Sequence, residues 1–127
     1  MQKTSLLTIK DNQTAFIPYL VAGHTSNEVF STALRLLSDV GADLIEIGIP
    51  FTDPIAEGKI IESAHHHALK NKFVLDDICQ IVKEFKTYSD TPLIAMGYTN
   101  SFINPSSKHI ATKLSECGFN GVLIVDM

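Results

Sequence analysis

Cysteine is scarce in this 127-residue chain, and the two that occur, Cys79 and Cys117, lie far apart on helical patterns. A disulfide framework is therefore excluded, and reduced core thiols are expected. Positive charge is also sparse. Ten Lys and Arg are spread without a cluster and the net charge is −4, so a nucleic acid or an acidic membrane surface has no electrostatic support as a partner. No apolar run approaches the ~18 residues of a spanning helix. The segment from Met1 to Gln13 lacks the continuous apolar core of a secretory signal, and the expected location is the cytoplasm. There is no linker, no low-complexity stretch and no glycine-rich phosphate cradle. What remains is 45% hydrophobic and 19% charged, the balance of one globular domain over residues 1–127.

The apolar pattern alternates between two periods. Ala15 to Val21 reads as a strand. Thr25 with Glu28 then suggests a capping box, and Val29, Phe30, Ala33, Leu34, Leu37 and Val40 follow at helical spacing up to Gly41. Leu44 to Ile47 is the second strand. Ile60, Ile61, Ala64, Ala68 and Leu69 predict a helix, and Leu75, Ile78, Ile81, Val82 and Phe85 predict another, led by Asp76 and Asp77. Leu93 to Met96 is the third strand. Asn104 and Pro105 read as the cap and first position of a helix carrying Ile110, Ala111, Leu114 and Cys117, and Val122 to Val125 is the last strand. Strands alternating with helices imply parallel pairing and an α/β fold. Periodicity leaves two architectures open, a doubly wound sheet and part of a (β/α)₈ barrel.

The segment Ile45 to Gly58, IEIGIPFTDPIAEG, carries the chemistry. Glu46 is a lone acid within an apolar strand, where an unpaired charge is costly, so such a residue is paired, protonated or functional. Eleven residues on, beyond Pro50, Asp53 and Pro54, Glu57 arrives on a loop. A strand acid and a loop acid over one cavity suit proton transfer, because unlike surroundings separate their pKa values.

The same segment resembles the active-site run of the tryptophan synthase alpha subunit family. It keeps that run's Glu, Gly, Pro, Phe, Asp-Pro and Ala in register, and departs at Thr52 (Ser in the family), Glu57 (Asp) and Lys59 (Pro). The likeness extends from Phe16–Gly23 to Gly121–Met127. It implies a TIM barrel, of which about the first four strands are here, as a half-barrel. It also implies retro-aldol cleavage of indole-3-glycerol phosphate to indole and glyceraldehyde 3-phosphate, a lyase step of tryptophan biosynthesis. By resemblance Glu46 is the acid–base residue and Glu57 the acid that holds the indole N–H. Glutamate is one methylene longer than the family's aspartate, so the expectation is a weakened site that Asp would restore. Phe16, Tyr19, Met96, Tyr98, Leu123 and Val125 would wall the substrate pocket. Pro50, Asp53 and Pro54 would meet the beta subunit of an alpha2beta2 assembly. No cofactor is expected on this chain, since the family's pyridoxal phosphate sits on the beta partner. Asp126 and Asn100 match family positions and read as architecture.

Two rivals stand beside that reading: a truncated, non-catalytic remnant that still binds the beta subunit, and a related phosphosugar barrel enzyme. The second is disfavoured because such enzymes lack the P-F-x-D-P-x-A segment. Barrel enzymes of this kind hold substrate phosphate in loops after strands 7 and 8, which this sequence does not contain. Consecutive His65, His66 and His67 point three ways on a helix and cannot easily share a metal, so no metal site is expected. Lys59 reads as a solvated loop charge.

Overall fold

In the computed structural model, residues 12–54 and 56–127 are described. Nine elements follow in order: β1 (Tyr19–Val21), α1 (Asn27–Asp39), β2 (Ile45–Gly48), α2 (Lys59–Lys70), α3 (Leu75–Tyr88), β3 (Leu93–Gly97), α4 (Thr99–Ile103), α5 (Ser107–Cys117) and β4 (Gly121–Ile124). The strands form one parallel sheet in the order β1-β2-β3-β4. Each strand pairs with its sequence neighbour and the order never reverses. A doubly wound sheet would carry a switch point, so consecutive parallel order identifies a half-barrel.

Register assigns the two sheet faces. Tyr19, Glu46, Ile94 and Gly121 lie side by side in one row, and Val21, Gly48, Met96 and Leu123 form the next row on the same face. The intervening row of Leu20, Ile47, Ala95 and Val122 points to the opposite face. There α1 contributes Phe30 and Leu34, α3 contributes Ile78, Val82 and Phe85, and α5 contributes Ile110 and Leu114, packed with Ile45, Ile47, Leu93 and Ala95. Each aliphatic side chain buried this fully stabilises the fold by about 1.5–3 kcal/mol. Cys79 and Cys117 are free and buried in this core, and burial pushes the Cys117 thiol up to about 12.

Three expectations are corrected at element ends. The first strand is Tyr19–Val21 rather than beginning at Ala15. Upstream, Pro18 has no N–H to give, and the Phe16 amide is taken by the Asp43 carboxylate at 2.7 Å. The cap of α1 is Ser26, not Thr25: the Val29 amide donates to Ser26 Oγ at 3.2 Å, while the Thr25 hydroxyl reaches only the Ser26 carbonyl at 3.5 Å. Glu28 then falls in the first turn, where it suits the helix dipole but is one position short of a capping box. The cap of α5 is Ser106, whose Oγ accepts from the His109 amide at 3.1 Å. Asn104 and Pro105 instead join α5 to α4, a single turn that the apolar period does not mark.

Candidate functional site

The second strand ends in a loop that brings Glu57 back over the sheet. Ile49 prolongs the β2–β3 pairing by donating to the Met96 carbonyl at 2.8 Å, and Pro50 and Pro54 are buried in the turn that follows. Gly58 closes the loop as the cap residue of α2 with φ of +83°, a left-handed backbone that L side chains rarely adopt. Glu57 is thereby delivered with its side chain only 5% exposed.

Three donors meet its carboxylate. The Tyr19 hydroxyl, from β1, donates to Oε1 at 2.9 Å. The Tyr98 hydroxyl, from the end of β3, donates to Oε2 at 3.2 Å, and His65 Nε2, from α2, stands 3.1 Å from the same oxygen. The roles can be assigned from the outer partners. The Phe51 amide, which can only donate, lies 3.0 Å from His65 Nδ1, so Nδ1 is the acceptor and Nε2 carries the proton. The Ala56 amide donates to the Tyr98 oxygen at 3.3 Å, leaving the tyrosine proton for Glu57. Tyr98 is buried and stacks on Phe51 at 4.9 Å between ring centroids.

Electrostatics follow from burial. Desolvation holds the His65 pKa below its ordinary 6.5, against the opposing pull of Glu57, and His65 is only 1% exposed. Protonating Nδ1 would also set its N–H against that of Phe51. Burial first, and the Glu57 charge after it, push the Tyr19 phenol far above its usual range; burial likewise raises Tyr98. The centre is thus a carboxylate surrounded by neutral donors. Its Oε2 already receives two of them, while Oε1 receives Tyr19 and keeps one lone pair.

Tyr19 reaches Glu57 by lying across Gly48. A Cβ built at position 48 would collide with the Tyr19 hydroxyl and come within 2.7 Å of Cζ, so only glycine admits this path. Glu46 sits directly beside Tyr19 in the register and is half-buried. Among the described residues its carboxylate accepts no hydrogen bond and pairs with no cation, in contrast to Glu57. The two acids therefore flank one tyrosine, the first uncommitted and the second held.

The other sequence-derived positions separate. Met96 and Leu123 share the sheet face of Glu46. Val125 lies just past β4, its amide donating to the Gly97 carbonyl at 2.8 Å. Phe16 lies at the opposite, amino-terminal end of the strands, where its carbonyl accepts from the Asp43 amide, and it does not join the Tyr19–Glu57 group. Of the three loop residues expected to meet a partner, Asp53 is exposed while Pro50 and Pro54 are buried. Asp126 holds the start of α4: the Thr99 amide and hydroxyl donate to Oδ1 at 2.7 and 2.9 Å, and those bonds keep its carboxyl below the usual range. Lys59 is exposed as the first residue of α2, and Asn100 lies within α4. A cleft of about 380 Å³ opens elsewhere, lined by Gly23, Ser26, Asn71, Lys72, Phe73 and Asp77, and contains neither acid.

His65 is the residue that sequence reasoning missed. A signal for it existed: it follows Ile61 by four positions and precedes Ala68 by three, in phase with the inward face of α2. His66 and His67 are exposed. Among the described residues no three His, Cys, Asp or Glu side chains gather as metal ligands, and no helix is long and apolar enough to cross a membrane.

Comparison with known proteins agrees with this geometry. A family model described as tryptophan synthase alpha chain matches residues 7–127. The tryptophan synthase alpha chain of Thermococcus kodakarensis is 42% identical over 113 residues, covering 89% of this chain and 45% of that protein. A solved tryptophan synthase A-subunit from Pyrococcus furiosus superposes with a TM-score of 0.84 at 41% identity, over 89% of this chain and 46% of that one. A structure of the tryptophan synthase a2b2 complex of the same organism gives 0.82 at 40% identity. The chain thus spans about 45% of the length of the relatives it matches. With four consecutive parallel strands and the Glu46–Glu57 segment in register, it belongs to the tryptophan synthase alpha chain family.

Proposed function

We propose that this chain carries acid–base residues for the retro-aldol cleavage of indole-3-glycerol phosphate to indole and glyceraldehyde 3-phosphate, a lyase step in tryptophan biosynthesis in the cytoplasm. The observation that carries the reading is the Glu46 carboxylate beside Tyr19 on the sheet face, without a hydrogen-bond or ion-pair partner among the described residues. Cleavage needs a proton delivered to the indole C3 carbon, which makes indole a leaving group, and a proton taken from the adjacent hydroxyl. A carboxylate without partners among the described residues can serve both transfers, whereas one already holding three donors has little room to do so. Glu57 suits a different task. Its remaining Oε1 lone pair can accept the indole N–H, and its fixed charge stabilises the cation that forms when C3 is protonated. Tyr19, Met96 and Leu123 would border the substrate on the same face, with Tyr98 and Val125 at its upper edge. Phe16 would contribute only from the far end.

None of these steps calls for a cofactor on this chain, and pyridoxal phosphate is assigned to the beta partner. The a2b2 relative supports docking on a beta subunit, with Asp53 the exposed member of the Pro50, Asp53 and Pro54 set. The test is indole release from indole-3-glycerol phosphate, with and without purified beta subunit. Release that Glu46→Gln abolishes is the expected result; equal release by Glu46→Gln overturns it. A second reading is a docking chain without cleavage, supported by the likeness to a chain of the a2b2 complex. An altered beta-subunit rate without indole release selects that one.

A further inference from the structure

We infer that His65 is a positioning residue for Glu57: its neutral imidazole, fixed by the Phe51 amide, holds the loop carboxylate in one rotamer against Tyr19 and Tyr98. The inference rests on the role proposed above for Glu57 and concerns a side chain that the acid–base scheme leaves unused. The geometry forms an unbroken relay. Phe51 N–H donates to Nδ1 at 3.0 Å, Nε2 meets Oε2 at 3.1 Å, and the Tyr19 oxygen lies 3.3 Å from the same Nε2. One ring therefore touches the first residues of the loop through Phe51, its last residues through Glu57, and β1 through Tyr19.

A glutamate has one more rotatable bond than an aspartate, and a loop carboxylate without a lateral donor would swing among rotamers. His65 removes that freedom at an angle the two tyrosines do not supply, since it approaches from α2, behind the loop. Its own orientation is not adjustable either. It is 1% exposed, and both ring nitrogens are committed, one as acceptor and one as donor. Turning the ring over would set Cδ2 against the Phe51 amide and Cε1 against Glu57, so both bonds would be lost. The extra methylene at position 57 is thus matched by a donor placed for the longer side chain. Contrary to the expectation drawn from the family's aspartate, Glu57→Asp would then draw the carboxylate away from all three partners rather than restore the site.

The test is imidazole nitrogen NMR of the full chain at neutral pH, with the Glu57 carboxyl followed by carbon NMR. The expected His65 tautomer has its proton on Nε2 and a bare Nδ1. His65→Gln keeps an amide N–H near the Nε2 position and should leave the Glu57 carboxyl resonance in place. His65→Asn keeps an amide only near the Nδ1 position and should shift that resonance together with the phenol signals of Tyr19 and Tyr98. A proton on Nδ1 in the unmodified chain, or equal responses from Gln and Asn, overturns the inference. The tautomer measurement needs no substitution, so a misfolded variant cannot obscure it. Where indole release is measurable, Asn should lower kcat by ~10²-fold with KM nearly unchanged, as expected for a displaced catalytic group, and Gln should recover most of it. Absence of release in the unmodified chain counts against the catalytic reading of Glu46, while the NMR result decides the role of His65.

Discussion

At the scale of residues, Glu46 and Glu57 differ not in chemistry but in company. Glu57 has donors from β1, α2 and the end of β3, while Glu46 has a tyrosine alongside and no partner among the described residues. The neutral His65 within this network gives the protein an acid sensitivity of definite sign. Its folded pKa lies below 6.5, so as pH falls the unfolded chain takes up that proton first. The contribution is complete above pH 6.5 and is lost as pH drops from 6.5 toward the lower folded value. Thermal unfolding should show this loss in the unmodified chain, and His65→Gln should lack that component. Asp76, held low by its bond from Lys113, and Asp126, held low by Thr99, act in a separate window near and below their ordinary 3.8. The groups facing His65 are Glu57, Tyr19 and the neighbouring His66, and only Glu57 favours the charged ring. The two acids could be read from the chain because loop and strand residues keep their spacing. The sequence marks Tyr19 and Tyr98 as pocket walls and the inward phase of His65, but not their bonds to Glu57, which span 8 to 41 residues.

At the scale of elements, the helices form where apolar spacing places them, and their ends are set by small polar side chains. Ser26 and Ser106 each accept the amide three residues on, which is the N-cap geometry that satisfies one of a helix's unpaired donors. Ser26→Ala should therefore lower stability by about 1 kcal/mol in denaturant unfolding, while Thr25→Ala should have an effect within about 0.5 kcal/mol. Equal losses would return the cap to Thr25. Thr25 and Ser26 are adjacent and both competent caps by residue type, so composition cannot choose between them; the chain direction leaving Gly23 does. The single turn α4 has a tertiary origin, because its first amide is held by Asp126 from beyond the neighbouring strand. A five-residue helix has too few turns to show a period, and it was invisible for that reason.

At the scale of the whole molecule, β2 and β3 are paired on both sides and, among the described residues, β1 and β4 on one. The central strands also carry the most deeply buried residues, Ile45, Ile47, Leu93 and Ala95, whereas Val122 and Leu123 of β4 are 49% and 41% exposed. Native-state hydrogen exchange should accordingly protect the amides of Ile47 and Ala95 most, and those of β4 least among the strands. Uniform protection across the four strands would contradict this burial gradient. Alternating periods determined from sequence alone that the chain is α/β with parallel strands, since each strand-to-strand return passes through a helix. The motif from Ile45 to Gly58 likewise marks Glu46 and Glu57 as the candidate acids, because it is continuous in the chain. Only the tertiary structure decided which acid is held by three donors and which has no partner among the described residues. That distinction depends on Tyr19 crossing Gly48, on Tyr98 at the end of β3, and on His65 turned inward from α2. Hydrogen bonds between residues distant in sequence are set by how strands and helices pack, and no local pattern encodes them.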